Sequence, residues 1–153
     1  PKKVLVVCTG NTCRSPMAAG WLNWKLAGKG WAAESAGVGA WGGSPATPEA
    51  VAAMREIGID ISAHRSRPLT RRLADEATLI LAMTESHRRE IARRFPEAEQ
   101  KTFLAHGFGP GAARDVADPA GYPVEVYRRT RDELIQALGD FLLHLAERGE
   151  LRR

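Results

Sequence analysis

The feature that most constrains this chain is how its N-terminal apolar run ends. Val4-Leu5-Val6-Val7 is unbroken and rich in β-branched residues, the pattern of a strand buried on both faces of a parallel sheet. It stops at Cys8-Thr9-Gly10-Asn11-Thr12-Cys13-Arg14-Ser15, after which Met17, Ala18, Trp21, Leu22 and Leu26 fall at helical spacing. Ser15 is expected to cap this helix, with Pro16 in its first turn. A strand thus feeds a helix through a short loop. In a parallel α/β sheet such a loop lies beyond the carboxyl end of the strand, where ligands bind.

The alternation continues. Residues 31–36 read as a strand followed by a Gly-rich stretch, 37–43; Thr47-Pro48-Glu49 opens a helix that Gly58 ends. Residues 77–83 read as an interior strand, and Thr84-Glu85-Ser86 starts a charged helix reaching Phe95-Pro96. Residues 101–104 read as a last strand, 106–123 as a long Gly-, Pro- and Asp-rich surface loop, and 124–148 as the final helix. With 153 residues, 44% of them hydrophobic and 26% charged, the chain is expected to form one α/β domain over 1–153, a parallel sheet covered by helices on both faces. No apolar run approaches the roughly 20 residues that span a bilayer, so no membrane partner is expected. Cys8 and Cys13 stand too close together to frame a disulfide-stapled secreted fold, which makes a cytoplasmic setting the expectation. A net charge of +4 favours anionic partners. A nucleic-acid-binding module is the lesser reading, because the chain carries no glycine-aromatic RNA motif, zinc spacing or recognition-helix pattern.

The loop carries the chemistry. Successive backbone N–H groups of Thr9, Gly10, Asn11, Thr12, Cys13 and Arg14 can turn inward as a nest at a helix N-terminus, a hollow suited to a phosphate-like dianion. Gly10 and Asn11 tolerate the left-handed angles this requires. Arg14 adds a planar fork for two anionic oxygens. The same positive surroundings favour thiolate over thiol at Cys8, making it a nucleophile, and the Ser15 hydroxyl is placed to donate to its sulfur. Asp118, next to Pro119 in the long loop, is the candidate general acid, with Asp115 as its rival. Nothing in the sequence suggests a metal cluster, so neither metal nor cofactor is expected.

The string Cys8 to Ser15, with Asp118-Pro119 in a late loop, resembles the low-molecular-weight protein-tyrosine-phosphatase family. The resemblance extends through Ser35-Ala36-Gly37-Val38, Gly58-Ile59-Asp60 with His64, Leu81-Ala82-Met83 and Arg131-Asp132-Glu133-Leu134. It implies a four-stranded parallel sheet of order 2-1-3-4 and phosphorylated protein substrates. It also implies roles: Cys8 the nucleophile, Arg14 the phosphate and transition-state ligand, Asp118 the general acid and then base, Asn11 and Ser15 supports of the loop and the thiolate. Trp41 would stand at an aromatic wall of the substrate pocket. Cys13 is either filler or the partner of Cys8 in a reversible, protective disulfide. The scattered histidines His64, His87, His106 and His144 are expected to be structural or solvated.

The chain departs from tyrosine-directed members at two places. Thr12 stands where they carry a bulky aliphatic residue, and Ala120 where they carry an aromatic. Phosphotyrosine is the first reading of the substrate; phosphoarginine is the alternative, since a threonine at position 12 resembles the protein-arginine-phosphatase branch, although that branch too carries an aromatic after the Asp-Pro pair and Ala120 departs from both. Arsenate reduction needs a pair of resolving cysteines, and no cysteine follows Cys13.

Overall fold

The structure is a computed structural model and describes residues 1–152. Strand β1 (Lys2–Cys8) is followed by α1 (Arg14–Leu26), β2 (Trp31–Gly37), α2 (Pro48–Arg55), α3 (Arg71–Glu76), β3 (Leu79–Ala82), α4 (Glu85–Arg94), a 3₁₀ turn (Pro96–Lys101), β4 (Thr102–Leu104) and α5 (Val124–Glu147). The four strands are all parallel, in the order β2-β1-β3-β4. Fold class and strand order are those expected from the sequence.

Side-chain alternation along β1 explains why the run has no polar residue. Val4, Val6 and Cys8 face a layer built from α1, α2 and α5, with Met17, Leu22, Tyr127, Leu138 and Phe141 in it. Leu5 and Val7 face the opposite layer, with Ala74 of α3, Ile91 of α4 and Phe95. Both faces of β1 are therefore dry. Each such residue fully buried contributes roughly 1.5–3 kcal/mol, so the strand cannot slip register without exposing or misplacing its whole set. The register pairs Val7 with Ala36 of β2 and Ala82 of β3, and Cys8 with Gly37, which brings the three strand ends together under one loop.

The first helix begins one residue before the expected cap. It starts at Arg14, and Cys13 occupies the cap position without a side-chain hydrogen bond to the helix. Ser15 is not a cap; it is wholly buried and its hydroxyl is used behind Cys8. The other caps follow the pattern: Thr47, Thr70 and Thr84 each accept from a backbone N–H of the first turn. Helix α3 and the 3₁₀ turn were not expected. Both are short, with at least half their residues charged and one buried alanine apiece, Ala74 and Ala98, so they carry almost no hydrophobic periodicity. No described helix is long and apolar enough to cross a membrane.

Candidate active site

Residues 8 to 14 wrap the mouth of a hollow of about 210 Å³, closed on the far side by Asp118 and Ala120. Every residue expected in the phosphate cradle lines it, and so does the expected acid. Asn11 is the hinge of the loop. Its φ of 56° is the one positive value at a non-glycine among the described residues, a conformation that Asn tolerates better than other side chains. Its carboxamide ties the loop down twice, accepting from the Arg67 backbone N–H at 2.9 Å and donating through Nδ2 to Ser15 Oγ at 2.8 Å.

That second bond fixes the direction of the next. Because Ser15 Oγ already accepts from Asn11, its own proton is free to donate to Cys8 Sγ, 2.9 Å away. The sulfur therefore has a buried hydroxyl donor beside it. Arg14 is 4% exposed. One terminal nitrogen donates to the Val116 carbonyl at 2.8 Å, the other lies 3.7 Å from an Asp118 carboxylate oxygen, and its buried Nε has no partner among the described residues. A buried guanidinium with a donor to spare, lining a hollow, is equipped to bind an oxyanion.

Asp118 is half-exposed and its other oxygen accepts from the Ala120 backbone N–H, a local turn that keeps the carboxylate over the hollow. The rival, Asp115, is engaged elsewhere: its carboxylate accepts from the Glu85 backbone N–H at 2.8 Å, at the start of α4. Val116 N donates to Met83 O, so residues 115 and 116 anchor the long loop to the sheet end while Asp118 projects beyond it.

Two histidines hold the loop from outside. His64 Nε2 lies 2.7 Å from the Asn11 carbonyl; a carbonyl only accepts, so Nε2 carries the proton. Burial holds the His64 pKa below its ordinary value, opposed by this bond. His87, 5% exposed, places Nε2 2.8 Å from Thr9 Oγ1. Burial first, and the nearby Arg14 charge second, push its pKa down to about 4. Their engagement with the loop was not legible in sequence, since Asn11 and Thr9 lie 53 and 78 positions from them. Cys13 turns away from the hollow's centre, its Sγ 3.2 Å from the Tyr127 hydroxyl of α5; both cysteines are free and buried. Trp41, expected as a pocket wall, is 87% exposed and does not line the hollow, and none of the described residues lining it is aromatic. Among the described residues no cluster of His, Cys, Asp and Glu is placed to hold a metal ion.

Comparison with known proteins gives a consistent picture. Residues 3–151 match the family model described as low molecular weight phosphotyrosine protein phosphatase. A protein-arginine-phosphatase of Geobacillus stearothermophilus is 51% identical over 134 residues, covering 88% of this chain and 89% of that protein. A solved low molecular weight protein tyrosine phosphatase from T. tengcongensis superposes with a TM-score of 0.89 at 45% identity, covering 95% of this chain and 100% of that one. An arsenate reductase of Staphylococcus haemolyticus is 33% identical over 140 residues, 92% of this chain and 95% of that protein. With the family match running over residues 3–151, the chain belongs to the low molecular weight phosphotyrosine protein phosphatase family.

Proposed function

We propose that this phosphatase works through a cysteinyl phosphate at Cys8 and that its preferred substrate is protein phosphoarginine. The observation that carries the substrate reading is Thr12 in the wall of the hollow, a short hydroxyl-bearing side chain facing the same space as Asp118. A phenyl ring draws its affinity from apolar and aromatic contact, worth about 25 cal/mol per Å² buried. A guanidino group instead needs acceptors for its N–H donors, and the Thr12 hydroxyl and the carbonyl oxygen of the protonated Asp118 carboxyl supply them. The Geobacillus relative named as a protein-arginine-phosphatase supports the same choice. Phosphotyrosine, the first expectation from sequence, becomes the second reading, supported by the name of the T. tengcongensis protein.

In the first step Cys8 Sγ attacks phosphorus; the S–P bond forms as the P–N bond breaks, and Asp118 gives its proton to the departing guanidino nitrogen. Arg14 and the loop amides carry the charge on the non-bridging oxygens. In the second step the Asp118 carboxylate takes a proton from water, whose oxygen attacks phosphorus. The S–P bond breaks, inorganic phosphate leaves, and the Cys8 thiolate returns to the Ser15 hydroxyl. The arsenate-reductase reading lacks its resolving cysteines, since none follows Cys13.

Matched peptides bearing phosphoarginine or phosphotyrosine test the proposal. The kcat/KM ratio is expected to favour phosphoarginine by about tenfold or more, a difference of about 1.4 kcal/mol in transition-state binding, and Thr12→Ile is expected to move it toward phosphotyrosine. A wild-type preference for phosphotyrosine overturns the substrate assignment and leaves the two-step chemistry standing.

A further inference from the structure

We infer that the side-chain hydroxyl of Thr9, and not only its backbone, is a phosphate ligand, and that His87 is the residue that points it there. The inference rests on residues 8 to 15 being a phosphate cradle. Thr9 lines the hollow, while its Oγ1 is 2.8 Å from His87 Nε2 on α4. At neutral pH one ring nitrogen of His87 carries a proton, because burial and Arg14 keep the ring uncharged. His87 Nδ1 is buried and has no partner among the described residues. A buried N–H left without an acceptor is rare in folded proteins, whereas an unused lone pair is tolerated more often. The proton therefore sits on Nε2 and is donated to Thr9 Oγ1.

The consequence follows from the donor inventory. A hydroxyl that accepts from His87 keeps its own proton for another acceptor. The same logic orients Ser15, which accepts from Asn11 and donates to Cys8. The loop thus carries two hydroxyls locked by neighbours, one serving the sulfur and one the anion. His87 is held in turn by its helix: its backbone N–H is capped by Thr84 Oγ1 at 3.1 Å. Arg14, Asp115 and Asp118 are the charged groups that act on the ring, and none of them hydrogen-bonds it. His87 is a positioning residue; the contact with substrate is made by Thr9.

Binding of inorganic phosphate to the chain, measured by titration calorimetry, tests this without reference to the natural substrate. Thr9→Val, which keeps the shape and removes the hydroxyl, is expected to weaken phosphate binding about tenfold, the loss of a hydrogen bond to a charged group, while Thr9→Ser binds as wild type. His87→Leu is expected to show the same loss. His87→Gln, whose amide N–H reaches the same position, is expected to restore binding, which separates orientation from folding. The double variant Thr9→Val with His87→Leu should be no weaker than either alone. Unchanged binding in Thr9→Val, independent multiplying losses, or failure of Gln to rescue a folded protein overturns the inference while leaving the cradle intact. A wild-type chain that binds no phosphate overturns the cradle, and the inference with it.

Discussion

Gly37 closes β2 directly behind the candidate active site, and replacing it with alanine should damage catalysis from a position that touches no substrate. A Cβ there would meet the Ala40 Cβ at 2.7 Å and the Asn11 backbone N at 3.1 Å, and would come closer still to the Thr9 carbonyl oxygen, roughly 1 Å inside ordinary contact. Neither side can retreat easily. The Gly37 N–H donates to Arg67 O and its carbonyl accepts from Leu69, while Thr9 O accepts from Gly39. Overpacking of this kind costs about 1–3 kcal/mol. With a urea slope of about 1–3 kcal/mol per M, the unfolding midpoint should fall by about 1 M. The peptide unit that carries Thr9 O also carries the nitrogen of Gly10, a residue that lines the hollow. A shift of about 1 Å in that donor should lower kcat/KM by about 100-fold. Gly109→Ala is the control: its Cβ would meet only the carboxylate of Asp140, a side chain that can swing away, so both stability and activity should stay close to wild type. Steady-state kinetics and urea denaturation on the two variants decide the matter. A Gly37→Ala protein as active and stable as Gly109→Ala would refute the claim that backbone placement at Thr9 and Gly10 governs the site.

Three other outcomes are expected. His87 titrates at about 4 in the folded chain against about 6.5 unfolded, so the unfolded state binds more protons between those values. This stability is present above pH 6.5 and lost as pH falls through 4, a change of roughly 3 kcal/mol; it should be missing from the stability curve of His87→Gln and appear in the wild-type-minus-variant difference, and parallel wild-type and variant curves would contradict it. Asp118→Ala should slow a substrate with a poor leaving group far more than an activated aryl phosphate, because only the former needs the proton; equal slowing removes Asp118 as the acid. Peroxide should convert the Cys8 thiolate to a sulfenic acid, which Cys13 then attacks with loss of water to give a disulfide that a thiol reductant reverses; in Cys13→Ala the inactivation should become irreversible, and equal recovery would leave Cys13 as filler.

Much of this was readable in the chain because it depends on local order. The Val4–Val7 run, the Thr47, Thr84 and Gly58 signals and the Cys8–Ser15 string each specify their own conformation over a few residues. Ser15 reads as a cap in the sequence, but the helix begins at Arg14 and the serine side chain is held in the core by Cys8 and Asn11. Helix α3 left no trace because six residues with one buried alanine have no period to read; the Thr70 cap was its one local signal. The supports of the loop, His64, Arg67 and His87, reach it through tertiary contacts whose sequence separations carry no pattern. Trp41 shows the converse limit: position along the chain placed it near the site, while the structure leaves its ring in solvent.

The central claim is that the phosphoryl group passes through sulfur. Rapid acid quench of the enzyme turning over a labelled activated aryl phosphate, whose leaving group needs no proton, should capture phosphate bound covalently at Cys8, accumulating further in Asp118→Ala, which slows its hydrolysis, and vanishing in Cys8→Ala. Turnover with no labelled protein at any time, or label that survives in Cys8→Ala, would contradict the account.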